Sequence, residues 1–197
     1  MKLVIATTNK NKIIEIKEKF SDFSELEIIS LSDFKNLPFV VEDGATFEEN
    51  ALKKSRAYSA LTGLAVLSDD SGLEIDALNG EPGVFSARYA GEGATDDDNN
   101  NLVLEKMSAV PDKKKDARFV CVIAISLPDG GEYTAIGTCE GRIIDRKIGN
   151  NGFGYDPIFF IPALGKTMAE LSITDKNKIS HRAMALDKAK EILEKIL

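Results

Sequence analysis

The sequence predicts an α/β protein, and three observations carry that reading. Short apolar runs at 3–7 and 64–68 each adjoin a segment with helical periodicity and a cap. A long apolar strand at 117–127 turns through Pro128-Asp129-Gly130-Gly131 and returns as 132–140. The chain closes on a helix whose apolar face holds Ala185, Ala189, Ile192 and Ile196. With 197 residues, 43% of them hydrophobic, there is material for one large domain or two small lobes around a sizeable core.

In chain order, the strand at 3–7 leads into the polar turn Thr7-Thr8-Asn9-Lys10-Asn11-Lys12. A helix follows with Ile13, Ile16 and Phe20 on one face. Thr8 or Asn9 is a natural N-cap. Backbone N–H groups at such a junction favour an anion, and Lys10 and Lys12 add charge. Residues 26–31 read as a second strand and 32–45 as loop. Thr46-Phe47-Glu48-Glu49 is a capping box for a helix that runs to about Leu61 and stops at Gly63. Glu49 has a structural role there, whereas Glu42 in the preceding loop has none.

The strand at 64–68 then meets Ser68-Asp69-Asp70-Ser71-Gly72. Asp, Ser and Gly are ordinary turn formers, so the stretch reads as an acidic strand–turn. Two adjacent carboxylates at the end of a buried strand would repel each other unless a cation sits between or beside them. Residues 73–77 read as a half-exposed strand and 79–83 as a turn. Thr95 caps a helix whose first-turn acids, Asp96 to Asp98, are read as structural. Three glycines surround Phe153 and Tyr155 in Gly149-Asn150-Asn151-Gly152-Phe153-Gly154-Tyr155-Asp156-Pro157. That loop lets the backbone approach something closely and offers a ring on which a base could stack. Ile158 to Ile161 is a strand, and Thr167 to Glu170 is a second capping box. Residues 175–180 read as the lead into the last helix, with Ser180 as N-cap and His181 and Arg182 at its positive end, a placement suited to facing an anion or a base.

Composition excludes several classes. Twenty-five basic against 32 acidic residues give a net charge of −7, which disfavours a protein that coats nucleic acid. Two cysteines, Cys121 and Cys139, read as reduced strand residues, and with one histidine they leave no set of soft ligands for zinc. No run approaches the roughly 18 apolar residues of a membrane span, and the N-terminus lacks a signal peptide; a soluble, cytoplasmic protein is expected. The Walker and dinucleotide fingerprints are both absent, and Ser71 lacks the nucleophile elbow. What remains is a phosphate site with lysines, a carboxylate set suited to Mg²⁺, and an aromatic–basic pocket. Together these describe a nucleoside triphosphate enzyme.

Six stretches, in order, carry a resemblance: 7–12, 42–51, 68–73, 82–89, 152–157 and 179–182. They resemble the non-canonical purine nucleoside triphosphate pyrophosphatases, the inosine triphosphate pyrophosphatase (Ham1/RdgB-like) family. The resemblance implies a homodimer of single ITPase-like domains spanning 1–197. Each would be an elongated, two-lobed mixed β-sheet with flanking helices and a central cleft. It implies Mg²⁺-dependent hydrolysis of ITP, dITP and XTP to the monophosphate and pyrophosphate, with no nucleic-acid or membrane partner.

By motif, Thr7, Thr8, Asn9, Lys10, Asn11 and Lys12 hold the triphosphate, with Lys54 as a further phosphate contact. Asp70 is metal ligand and general base. Glu42 is a further ligand, and Asp69 a ligand or supporting group. Ser71 touches the substrate. Phe153, Gly154, Tyr155, Asp156 and Lys176 line the nucleoside pocket, and His181 and Arg182 contact the base. The turn before Phe153 departs from the family's usual Gly-Thr-Gly-Gly by carrying Asn150 and Asn151. Two other readings compete: a related pyrophosphatase that prefers pyrimidine nucleotides, and a nucleotide sensor without turnover.

Overall fold

The computed structural model describes residues 1–196. Its strands are β1 (Lys2–Ile5), β2 (Glu27–Ser30), β3 (Ala65–Ile75), β4 (Asp116–Ser126), β5 (Glu132–Ile143), β6 (Phe159–Ile161) and β7 (Lys166–Thr167). The helices are α1 (Lys10–Lys19), α2 (Phe47–Thr62), α3 (Asp96–Met107), α4 (Ile173–Ile179) and α5 (His181–Ile196). The strands form one seven-stranded sheet in the order β2-β1-β3-β4-β5-β6-β7. β1 runs parallel to β2 and β3, and β6 antiparallel to β5 and β7, so the sheet is mixed. The α/β expectation therefore holds.

The chain divides into two compact units. The first comprises Met1–Asp70, Cys121–Gly137 and Arg182–Leu197, the second Ser71–Val120 and Thr138–His181. In the first unit both faces of the sheet are covered. Leu3, Ile5, Ala65 and Leu67 pack with Ile16 of α1, with Phe20 just after it, and with Ala185, Leu186 and Ala189 of α5. Val4, Ala6 and Val66 point the other way and cluster with Tyr58 of α2. Successive strand residues face opposite sides, so a strand buried on both reads as an unbroken apolar run. That is why 3–6 and 64–67 carry no alternation.

The caps act as the composition suggests. The Asn9 side chain accepts the N–H groups of Asn11 and Lys12 at 2.9 and 3.3 Å. Thr46 Oγ1 accepts Glu49 N–H at 3.1 Å, and the Glu49 carboxylate accepts Ala45 N–H at 2.6 Å. Such a cap contributes about 1 kcal/mol. Gly63, at φ 67°, closes α2 in the left-handed conformation that glycine adopts without strain.

Two expectations are corrected. The strand does not end at Ser68: β3 runs straight through Asp69, Asp70, Ser71 and Gly72 to Ile75. Local turn preference loses because Asp69 is paired on its own face of the sheet and the neighbouring strands hold the backbone in its ladder. The lead into the last helix is itself a helix, α4, capped by Ser172, whose Oγ accepts Asp175 N–H at 3.1 Å.

In the second unit, Val103 and Met107 of α3 pack with Leu73, Ile75, Phe119, Ile143, Tyr155 and Phe159. β4 and β5 are neighbours joined through 127–131, where Leu127 N–H bonds Gly131 O at 2.8 Å. Both cysteines are free and buried. Among the described residues no helix is long and apolar enough to cross a membrane.

Candidate active site

The continuity of β3 decides the site. With side chains alternating along the strand, Asp69 follows Leu67 onto the face covered by α1 and α5. Asp70 follows Val66 and Ser68 onto the face covered by α2. Ser68 Oγ marks that second face by donating to Ala51 O of α2 at 2.6 Å. The two acids therefore do not share a crevice, and the repulsion expected between them is small. Asp69 still helps to raise the Asp70 carboxyl, but less than burial and Glu42 do.

Asp69 is fully enclosed by donors. Lys12 Nζ pairs with its Oδ1. Arg182 Nε donates to Oδ2 at 2.7 Å, and Cys121 Sγ donates to the same oxygen at 3.2 Å. Arg182 extends the chain of charges by donating from Nη1 to Glu15 Oε2 at 2.6 Å. Burial alone would raise the Asp69 carboxyl; Arg182 and Lys12 outweigh it and hold the group well below the ordinary carboxylate range. Burial raises the Cys121 thiol well above its usual value, so it stands there as a neutral donor. Such a knot of buried charge holds only while every member is paired.

Of the two readings of Asp69, ligand or supporting group, its pairing with Lys12 and Arg182 favours the supporting one. Arg182 is only 2% exposed, and its guanidinium joins Asp69 to Glu15. Sequence reasoning missed Glu15 and Cys121. The one available signal was an acid beside Ile16, on the flank of α1 that turns inward.

Asp70 differs in every respect. It is 7% exposed, and its Oδ2 is buried without a hydrogen-bond partner. Burial pushes its carboxyl up to about 6, against the opposing pull of Lys54 and Lys12 and with the help of Glu42. Lys54 reaches from α2 to donate to the Asp69 carbonyl at 2.7 Å and to pair with Glu42 Oε1 at 3.0 Å. One buried lysine thus fixes both the loop acid and the backbone just before Asp70.

Thr7 is half-buried at the end of the β1 turn, and its Oγ1 accepts Asn9 N–H at 3.2 Å. Thr8, Asn9, Lys10 and Asn11 are exposed at the start of α1, while Lys12 is half-buried and turned to Asp69. Two first-turn amides are already taken by Asn9. Ser71 is half-buried in β3, in the second unit.

In the second unit, Lys176 and Asp156 flank Phe153. Its half-buried ring lies 4.6 Å from Lys176 Nζ. Lys176, itself buried, is paired with Asp156 at 2.7 Å, and the same Asp156 oxygen accepts Phe153 N–H at 3.0 Å. Tyr155 is buried and donates its hydroxyl to Ser86 O at 2.8 Å. His181 stacks on Phe119, with centroids 4.7 Å apart and planes at 16°. The close approaches that the loop glycines permit are to the chain itself. At Gly149, φ 87°, a Cβ would lie 2.5 Å from Ala169 backbone, and at Gly152, φ 75°, it would strike the Asp156 carboxylate.

Asp70 and Glu42 suit a hard cation. Among the described residues no three His, Cys, Asp or Glu side chains gather as an all-protein metal cage. Two carboxylates are what Mg²⁺ takes when substrate phosphates and water complete its shell. The orphaned Asp70 oxygen and the raised carboxyl are what an absent positive charge would satisfy.

Fold and site thus define a mixed-sheet α/β protein with a carboxylate–lysine centre suited to a hard cation and phosphate. The chain belongs to the Ham1 family, whose model matches residues 3–192. It is 50% identical over 192 residues to a dITP/XTP pyrophosphatase of Shouchella clausii, covering 98% of this chain and 96% of that one. Among solved structures it resembles the Staphylococcus aureus Ham1 protein, with TM-score 0.90, 45% identity and full coverage of both chains. It also resembles a HAM1 protein from Coxiella burnetii, with TM-score 0.91, 43% identity and 99% coverage of each.

Proposed function

We propose that the protein hydrolyses non-canonical purine nucleoside triphosphates, ITP, dITP and XTP, to the monophosphate and pyrophosphate, and so cleans the nucleotide pool. The observation that carries the reading is the buried, unpartnered Oδ2 of Asp70 and the Glu42–Lys54 pair whose charges act on it. The dITP/XTP pyrophosphatase name of the Shouchella clausii relative supports the substrate class.

In this reading Asp70 takes a proton from water as its oxygen attacks the α-phosphorus. The bond from that phosphorus to the bridging oxygen breaks, and pyrophosphate leaves. A carboxyl raised to about 6 suits a base working near neutral pH. Lys12 and Lys54, with the polar residues 7–11, offset charge on the phosphates. Asp70 and Glu42 would hold Mg²⁺, which when bound neutralises phosphate oxygens. Asp69 takes no part in the chemistry but keeps Lys12 in place.

Phe153 provides a stacking face for the purine, and Lys176 supplies the donor for a 6-keto oxygen, with Tyr155, Asp156 and His181 framing it. A site built to donate leaves its donor unpaired against the 6-amino group of ATP. We further propose that it works as a homodimer in the cytoplasm, where such nucleotides arise. A mass near 21.5 kDa by light scattering would remove the dimer.

The test is a panel of ITP, dITP, XTP, ATP, GTP, UTP and dTTP, with pyrophosphate release read with and without Mg²⁺. ITP, dITP and XTP should lead. Greater kcat/KM for UTP than for ITP would overturn the purine reading, and tight ITP binding without turnover in Mg²⁺ would make the protein a sensor.

A further inference from the structure

Helix α3 does more than fill the core of the second unit. Its first two turns grip the backbone on which Phe153 stands. Asp96 Oδ2 accepts Gly154 N–H at 2.7 Å, and Asn100 Nδ2 donates to Gly154 O at 2.8 Å. The two side chains lie one helical turn apart and hold both polar backbone groups of one residue. Asn100 Nδ2 also donates to Asp96 O at 2.6 Å. Lys147, at the start of the same loop, pairs with Asp97.

The orientation of Asn100 follows from chemistry. Both acceptors near its Nδ2 are carbonyl oxygens, so turning the amide over would set oxygen against oxygen. The side chain is only 2% exposed, and its Oδ1 is buried with no hydrogen-bond partner. A buried acceptor left in this state is costly, so a simple packing role would be better filled by leucine. The two bonds that Nδ2 donates are what an asparagine supplies here.

From the other side Asp156 holds Phe153 N–H at 3.0 Å. The peptide groups flanking the Phe153 ring are therefore fixed by side chains from α3 and from the loop itself. The ring remains half-buried, and its place is set by the backbone beneath it.

We propose that Asp96 and Asn100 are positioning residues for the base platform: by clamping Gly154 they hold the Phe153 ring at one height and tilt for a purine. The proposal rests on Phe153 being that platform. The competing account is that first-turn acids merely complement the helix dipole and that Asn100 is core. That account predicts lost stability and an unchanged KM.

The test uses Asp96→Ala and Asn100→Asp. Asp96 is exposed, and the Thr95–Asp98 capping box remains in its absence, so the first variant keeps the fold even if the second does not. In Asp96→Ala, KM for ITP should rise about five- to tenfold with kcat within about twofold, because a loosened loop must be ordered on binding. Hydrogen exchange at the Gly154 amide should accelerate at least about tenfold while the amides of α3 keep their protection. Asn101→Ala, on the exposed side of the same helix, should change neither. Unchanged KM and unchanged Gly154 exchange in Asp96→Ala would overturn the clamp. If Phe153→Ala raises KM while Asp96→Ala and folded Asn100→Asp do not, the clamp fails and the platform stands. If Phe153→Ala leaves KM unchanged, the platform fails and takes the proposal with it, even where Gly154 exchange shows the clamp intact.

Discussion

The two faces of β3 carry adjacent aspartates that the fold treats in opposite ways. On the α1–α5 side, Asp69 is saturated by Lys12, Arg182 and Cys121 and held ionised. On the α2 side, Asp70 keeps a buried oxygen without a partner and a carboxyl pushed up to about 6. A fully paired buried acid is a structural part. An acid buried at a cost to stability with one oxygen unpaired fits the role proposed for Asp70. The alternation that separates the two side chains separates their surroundings.

The largest expected effect belongs to Asp70→Asn. Loss of the base should lower kcat by about 10²- to 10⁴-fold in pyrophosphate-release assays. The same variant should be more stable than the parent in chelator at neutral pH, because the amide removes a buried charge. The gap between the ordinary 3.8 and about 6 corresponds to about 3 kcal/mol as an upper bound. Undiminished turnover, or a fall in denaturant midpoint, would erase the contrast.

Asp69→Asn should do the reverse. It leaves Arg182 and Lys12 short of a counter-charge in a buried setting and should cost about 3–5 kcal/mol of stability, read by urea unfolding. A variant as stable as the parent would mean that the knot is not structural.

The third expectation concerns pH. Asp70 keeps its proton in the folded chain up to about pH 6 but releases it near 3.8 when unfolded. Its ionisation therefore weakens the fold as pH rises through that window, and the advantage of Asp70→Asn should shrink as pH falls from 7 to 4. Asp69 has the opposite sign. Its contribution is complete above the ordinary carboxylate range and is lost as pH falls below it. Parallel melts of the two variants from pH 8 down to pH 2 separate these slopes, and matching slopes would sink the distinction.

The smallest effect belongs to Glu42→Gln. Removing this like charge should lower the Asp70 carboxyl, since Glu42 helps to raise it. The acidic limb of kcat/KM should move to lower pH. The Mg²⁺ concentration for half-maximal rate should rise roughly tenfold as one carboxylate leaves the set. An unchanged Mg²⁺ requirement would confine the metal reading to Asp70.

Much of this was legible without coordinates. Apolar runs, capping boxes and glycine stops located β1, α1, α2 and the β4–β5 pair, because each is determined by neighbours within a few residues. Residue type alone marked Asp70, Glu42, Lys12 and Phe153 as candidates for a hard cation, a phosphate and a base, and the family resemblance added Lys54. What the chain could not disclose locally was that Ser68-Asp69-Asp70-Ser71-Gly72 is strand: its composition favours a turn, and only partners from α1, α2, β4 and α5 hold it extended. Nor could it disclose that Arg182 faces Asp69 and Glu15, 113 and 167 residues away, or that Asp96 and Asn100 grip Gly154 more than 50 residues on. Sequence determined which groups were present and which short segments would form. Tertiary structure decided which were paired and which were left waiting, because burial and pairing are properties of the space around a side chain and not of its neighbours in the chain.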